Sequence, residues 1–137
     1  MERTLTILKP DAVAAGKAGA ILAHLEREGF RFAGVKRLRL SVEQARAFYA
    51  VHRERPFYDA LVRFMTEGPV VVAALEREGA VGHLRKTMGA TDSRKAEAGT
   101  IRSLHGTDIE RNAIHGSDSP ENAAKEIAFF FSEAELI

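Results

Sequence analysis

Polar and apolar side chains alternate from Thr4 to Lys9 and the alternation stops at Pro10. This predicts a strand whose last residue is held extended by the proline that follows. Beyond Gly16, Ala20, Ile21, Ala23 and Leu25 recur at helical spacing opposite Glu26, Arg27 and Glu28, and Gly29 stands where a helix C-cap belongs. Phe30 to Leu40 alternates again, predicting a long, half-exposed second strand. Ser41, with Glu43 and Gln44 behind it, opens a helix through Ala45, Phe48 and Tyr49; Pro56 separates it from a second helical piece, Phe57 to Met65.

Gly68-Pro69 introduces the uninterrupted apolar run Val70 to Leu75, the pattern of a central strand covered on both faces. Gly79 to Met88 reads as another helix. Periodicity then fades from Gly89 to Glu110, and an irregular connection of that length is usually functional. Ala113-Ile114-His115 reads as the end of a last strand. Ser119-Pro120-Glu121 follows as N-cap, first-turn proline and acid for a helix carrying Ile127 and Phe129 to Phe131, so His115 faces a helix start.

The 137 residues suit one compact domain, 1–137, with enough interior to need neither disulfide nor structural metal. Apolar residues make up 45% and charged residues 28%, near the averages for globular chains. The chain has no cysteine, which removes disulfide frameworks and thiolate zinc sites and fits a reducing, cytoplasmic compartment. The early apolar stretch Leu5 to Leu8 is too short for a signal sequence or a membrane span. With a net charge of +1, the whole molecule has little attraction for nucleic acid or anionic lipid, so any anion site must be local.

The chemistry converges on Arg111-Asn112-Ala113-Ile114-His115-Gly116-Ser117-Asp118-Ser119-Pro120. An imidazole at the end of a short apolar run can be packing, a metal ligand or a nucleophile. His24, His52, His83 and His105 show no ligand spacing with it, and no His-Glu-x-x-His pattern occurs. Cations gather around the irregular stretch: Arg85 and Lys86 before it, and Arg94, Lys95 and Arg102 within it. Arginine forks suit phosphate oxygens. The Walker pattern fails around Gly16-Lys17-Ala18, and Val51-His52-Arg53-Glu54 does not complete a protein-kinase catalytic loop. Phosphate handling must rest on other residues.

The stretch Asn112-Ala113-Ile114-His115-Gly116-Ser117-Asp118 resembles the active-site signature of nucleoside diphosphate kinases. The similarity extends to Thr6-Ile7-Leu8-Lys9-Pro10-Asp11-Ala12-Val13, to Tyr49, His52 and Arg55-Pro56-Phe57, to Glu67-Gly68-Pro69-Val70-Val71 and to Gly99-Thr100-Ile101-Arg102. It covers essentially the whole chain in order. The resemblance implies a ferredoxin-like α/β sandwich, with a four-stranded antiparallel sheet, helices packed on it, and assembly as hexamers or tetramers. Periodicity alone leaves a parallel sheet open.

It further implies a ping-pong kinase in which the pros nitrogen of His115 takes the γ-phosphoryl group of a nucleoside triphosphate and passes it to a diphosphate. By matched position, Lys9, Arg85, Thr91 and Arg102 hold phosphates, and Lys9 and Asn112 reach the ribose hydroxyls. Phe57 stacks on the base beside Leu61 and Ile109, while Tyr49, Ser117 and Glu126 orient the histidine. Mg²⁺ arrives on the nucleotide rather than in a protein cage, with Asp118 near it. An imidazole with an ordinary pKa of about 6.5 is roughly three-quarters neutral at pH 7, so it offers a lone pair without an added base. A phosphohistidine's P–N bond has transfer potential comparable to the nucleotide's terminal anhydride, whereas a serine phosphate ester would be a thermodynamic trap. Stacking is available to every base, so weak base selectivity follows.

The chain departs from the family pattern in the long loop, at Asp92-Ser93, at Ala98 before Gly99, and at Ser103-Leu104-His105. Losing proline there enlarges the freedom of the unfolded loop. Two other readings share the fold: a non-catalytic nucleotide-binding module, and a signalling kinase acting on partner histidines.

Overall fold

The computed structural model describes residues 1–137. The strands are β1 (Glu2–Leu8), β2 (Arg31–Leu38), β3 (Val70–Arg77) and β4 (Ile114–Gly116). The helices are α1 (Pro10–Ala14), α2 (Ala18–Arg27), α3 (Val42–Phe48), α4 (Tyr58–Met65), α5 (Ala80–Met88), α6 (Ile101–His105) and α7 (Pro120–Phe130), with single 3₁₀ turns at Ala50–His52, Ser93–Lys95 and Glu133–Glu135. All strand pairs are antiparallel and the order is β2-β3-β1-β4. This is the ferredoxin-like α/β sandwich. No helix is long and apolar enough to cross a membrane.

Strand periodicity divides the interior in two. Leu5 and Ile7 of β1 with Val70, Val72 and Ala74 of β3 face one core, closed by Met65, Ile127 and Phe130. Leu8, Val71, Ala73 and Leu75 face the other, closed by Ile21, Leu25, Leu84, Met88 and Ile101. The run Val70 to Leu75 is thus covered on both faces as its composition requires, and no residue in it is more than 7% exposed. Each valine and leucine in it contributes about 1.5–3 kcal/mol through burial, and each alanine less.

The caps explain the boundaries. Ser41 and Gln44 form a reciprocal capping box at α3. The Ser119 hydroxyl accepts from Asn122 N–H, with Pro120 in the first turn of α7. At the other end of α5, Gly89 has φ +87°, where a Cβ would lie 2.5 Å from Thr100 Oγ1.

Three expectations need correction. The first strand ends at Leu8, one residue short, because extended Lys9 serves as N-cap of α1 with Pro10 as its first residue. The second strand spans Arg31–Leu38 with an irregularity between Phe32 and Gly34, inside the expected Phe30 to Leu40. The stretch from Gly89 to Glu110 is not irregular throughout. It contains α6, whose N-cap Thr100 accepts from Ser103 N–H. Five residues are too few to show helical periodicity.

Candidate active site

Central β1 brings the two ends of the signature together. Ile7 pairs with His115 across the antiparallel ladder, and Thr6 Oγ1 donates to His115 O over 2.8 Å. Just before β4 the chain turns sharply at Ala113, which is buried with φ 72°, a costly conformation for a residue with a Cβ. Both of its peptide groups are tied to the β1–α1 junction. Ala113 N–H donates to Asp11 Oδ2 at 3.1 Å, and Lys9 N–H donates to Ala113 O at 2.8 Å. Burial pushes the Asp11 carboxyl above its usual range.

His115 Nε2 lies 2.8 Å from Glu126 Oε1 on α7, and the Ser117 hydroxyl donates to the same oxygen at 2.8 Å. A carboxylate can only accept, so Nε2 carries the proton and the lone pair rests on Nδ1. Nδ1 makes no hydrogen bond, and the side chain keeps 21% of its surface exposed. The Phe48 ring meets the imidazole edge-on, 5.6 Å between centroids, and Tyr49 does so at 6.4 Å. The Tyr49 hydroxyl is buried without a partner, so this residue touches the histidine by packing and not by a hydrogen bond. Burial first, and the charge of Glu126 second, push its phenol above the usual range.

A cationic group stands opposite. Arg102 is 7% exposed and donates to Gly89 O at 3.1 Å and to Ile114 O at 2.8 Å, while its Nε has no partner. Burial, then the nearby charge of Arg85, pushes its guanidinium down to about 10. Lys9 Nζ donates to Asn112 Oδ1 at 2.8 Å, and burial, then Arg102, brings it down to about 8. Arg85, Arg102 and Lys9 carry no ion pair. Lys9 and Arg102 are buried near each other and repel, a cost that an anion in the cleft would offset.

These residues line one cleft of about 990 Å³. It gathers Lys9, Tyr49, Phe57, Leu61, Arg85, Thr91, Arg102, Ile109, Asn112, His115, Asp118 and Glu126. Ser117 lies fully buried behind them. Asn112 Nδ2 donates to Thr91 O at 2.9 Å and to Ile109 O at 3.1 Å, so one amide joins Thr91, Ile109 and Lys9. Phe57 and Ile109 remain 49% and 60% exposed at the mouth. The cleft also includes Phe48, Glu110, Asn122, Lys125 and Phe129, to which sequence reasoning gave no role. The helical spacing of Asn122, Glu126 and Phe129 on α7 was the available signal.

Residues 2–136 match the family model described as nucleoside diphosphate kinase. The chain belongs to the nucleoside diphosphate kinase family. It is 58% identical over 136 residues to the nucleoside diphosphate kinase of Sulfurimonas denitrificans, covering 99% of each chain. The Aquifex aeolicus nucleoside diphosphate kinase superimposes with a TM-score of 0.97 at 50% identity, covering 99% of both chains. That of Halobacterium salinarum, solved in complex with CDP, gives 0.95 at 43% identity, covering 99% of this chain and 91% of that one. As a nucleoside diphosphate kinase, the chain is a nucleotide-binding transferase that moves a phosphoryl group from a nucleoside triphosphate to a nucleoside diphosphate.

Proposed function

We propose that His115 carries the phosphoryl group, through Nδ1. The observation that carries this reading is the shared Glu126 oxygen: with Nε2–H engaged at 2.8 Å, the unpaired nitrogen is the one open to the cleft. Nδ1 attacks the γ-phosphorus as the bond from phosphorus to the β–γ bridging oxygen breaks, and the diphosphate leaves with that electron pair. A second diphosphate then attacks the phosphohistidine, the P–N bond breaks and the imidazole is regenerated. Arg85, Arg102 and Lys9 neutralise the phosphate oxygens during both transfers.

Phe57 supplies the stacking face for the base, with Leu61 and Ile109 beside it, and the bound CDP of the Halobacterium salinarum relative suits such a cleft. Asn112 and Lys9 read the ribose, Thr91 contributes to phosphate binding, and Tyr49, Ser117 and Glu126 hold the imidazole. The cofactor proposed is Mg²⁺. No three acidic or histidine side chains converge as a metal cage, but Asp118 lines the cleft, and its Oδ1 accepts from Asn122 at 2.6 Å. One carboxylate together with nucleotide phosphates is the usual setting for Mg²⁺, which would supply charge neutralisation between phosphates.

We further propose one domain over 1–137 and a homo-oligomer, hexamer or tetramer, working in the cytoplasm. Val35 on edge strand β2 and Leu104 on α6 are 48% and 56% exposed, apolar surface that an assembly would cover. Native mass measurement reads the assembly.

The decisive experiment is incubation with terminally labelled ATP. Acid-labile, base-stable label is expected on the wild type and absent from His115→Ala. Label surviving in that variant would reject the assignment.

A further inference from the structure

Glu110 is a carboxylate without a partner in a cleft whose other two acids, Glu126 and Asp118, are already engaged with His115, Ser117 and Asn122. It lines that cleft next to Ile109 and two residues before Asn112, on the side where the base is proposed to lie. Its backbone is locked. Asp108 Oδ1 accepts the N–H groups of Glu110 and Arg111 at 2.9 and 2.8 Å, and Thr107 N–H bonds Arg111 O at 2.6 Å. The neighbouring cation is already engaged, since Arg111 pairs with Glu67 at 3.0 Å and lies over the Phe64 ring at 4.9 Å. The Glu110 carboxylate makes neither hydrogen bond nor ion pair, although its charge is felt at Lys9.

An acid in an anion-binding cleft works against phosphate affinity, and it does so equally for every nucleotide. What it offers in return depends on the base. A carboxylate only accepts, and its two oxygens match an edge that presents two adjacent donors. Guanine has such an edge in N1–H and the 2-amino group. Adenine and cytosine put an amino group beside an acceptor nitrogen, and uracil and thymine put one N–H between two carbonyls that the carboxylate repels. Stacking on Phe57 cannot make these distinctions, because every base has a π-face.

We infer that Glu110 is a specificity-determining residue that reads the Watson–Crick edge of the stacked base and favours guanine nucleotides over uracil and thymine nucleotides. The inference rests on the proposed use of this cleft for the nucleotide, with the base beside Phe57 and Ile109. Glu110 takes no part in the transfer itself. Replacing it with glutamine keeps size and hydrogen bonding but gives one donor and one acceptor, which every base edge can meet, so the ranking should flatten.

The test charges wild type, Glu110→Gln and Glu110→Ala with labelled ATP, then chases each phosphoenzyme with GDP, ADP, UDP or dTDP and follows loss of label. In wild type, discharge by GDP should exceed that by UDP or dTDP in second-order rate constant by about tenfold, the size of one charged hydrogen bond in a half-exposed site. Both variants should bring the ratio to within about twofold, with the loss falling on GDP. Equal changes for all four acceptors, or an unchanged ratio, would overturn the role of Glu110 while leaving the phosphohistidine intact. Failure of the wild type to take up label at His115 would instead strike at the phosphohistidine reading, and failure confined to the variants would overturn the role of Glu110 by placing it in the transfer itself.

Discussion

One carboxylate oxygen, Oε1 of Glu126, receives both the Nε2–H of His115 and the hydroxyl of Ser117, each over 2.8 Å. The tautomer of the histidine is thereby set by a helix that the signature loop itself caps. Glu126→Ala should lower kcat by roughly ten- to hundredfold, the usual cost of removing a group that orients an imidazole. Nucleotide affinity should change far less, and single-turnover labelling by ATP separates the two.

Lys9 makes nucleotide binding sensitive to alkali. Its ammonium, brought down to about 8 by burial and by Arg102, loses its proton above that pH in the free enzyme. KM for nucleotides should rise by up to about tenfold per pH unit above 8, measured between pH 7 and 10. Stability moves the other way. From about 8 to the ordinary lysine value the unfolded chain holds a proton that the folded chain has released, so this group's contribution to stability rises with pH across that window. Thermal unfolding of the nucleotide-free protein over the same range checks the sign.

Gly116 has no room for a methyl group. A Cβ there would come within 2.8 Å of Met88 Sδ and 2.9 Å of Leu84 Cδ2, both on α5. Gly116→Ala should cost about 1–3 kcal/mol as overpacking pushes α5 off the sheet. Since Arg85 rides on α5, activity should fall together with the melting temperature.

Asn112 ties Lys9 Nζ, Thr91 O and Ile109 O through one amide. Asn112→Ala leaves these groups unmatched in a buried position and should destabilise the fold by about 1–3 kcal/mol. KM should rise more than kcat falls, because the proposed contact to the sugar is lost while His115 and Glu126 remain.

Phe57→Ala should raise KM by roughly five- to hundredfold, the value of one stacked base, with similar factors for purine and pyrimidine diphosphates. A panel of diphosphates measures this directly.

The sequence made much of this architecture legible because its signals are local. Ser41 with Gln44, Ser119 with Pro120, and the alternation through β3 each need only their neighbours. Strand direction was not legible, since a period of two is the same for parallel and antiparallel pairing; the resemblance supplied it. The short helices α1 and α6 hold too few residues for a periodic signal, so Lys9 read as strand and Arg102 as loop. Residues of the signature were found from their order along the chain. Phe48 packs on His115 from a separate helix, and no spacing in the sequence announces a contact made through the fold. Nor does the motif say that Glu126 and Ser117 share an oxygen with the histidine, a matter of side-chain direction across the first turns of α7.

The left-handed residue Ala113 separates Asn112 from Ile114-His115 by a single kinked peptide, held at its N–H by Asp11 and at its carbonyl by the backbone of Lys9. The amide proposed to face the sugar and the ring proposed to carry the phosphoryl group are therefore mounted on opposite sides of one clamped joint, like two tools on a rigid wrist. A nucleotide that lacks a ribose hydroxyl would sit more loosely in its seat, yet the line from imidazole to phosphorus would keep its aim.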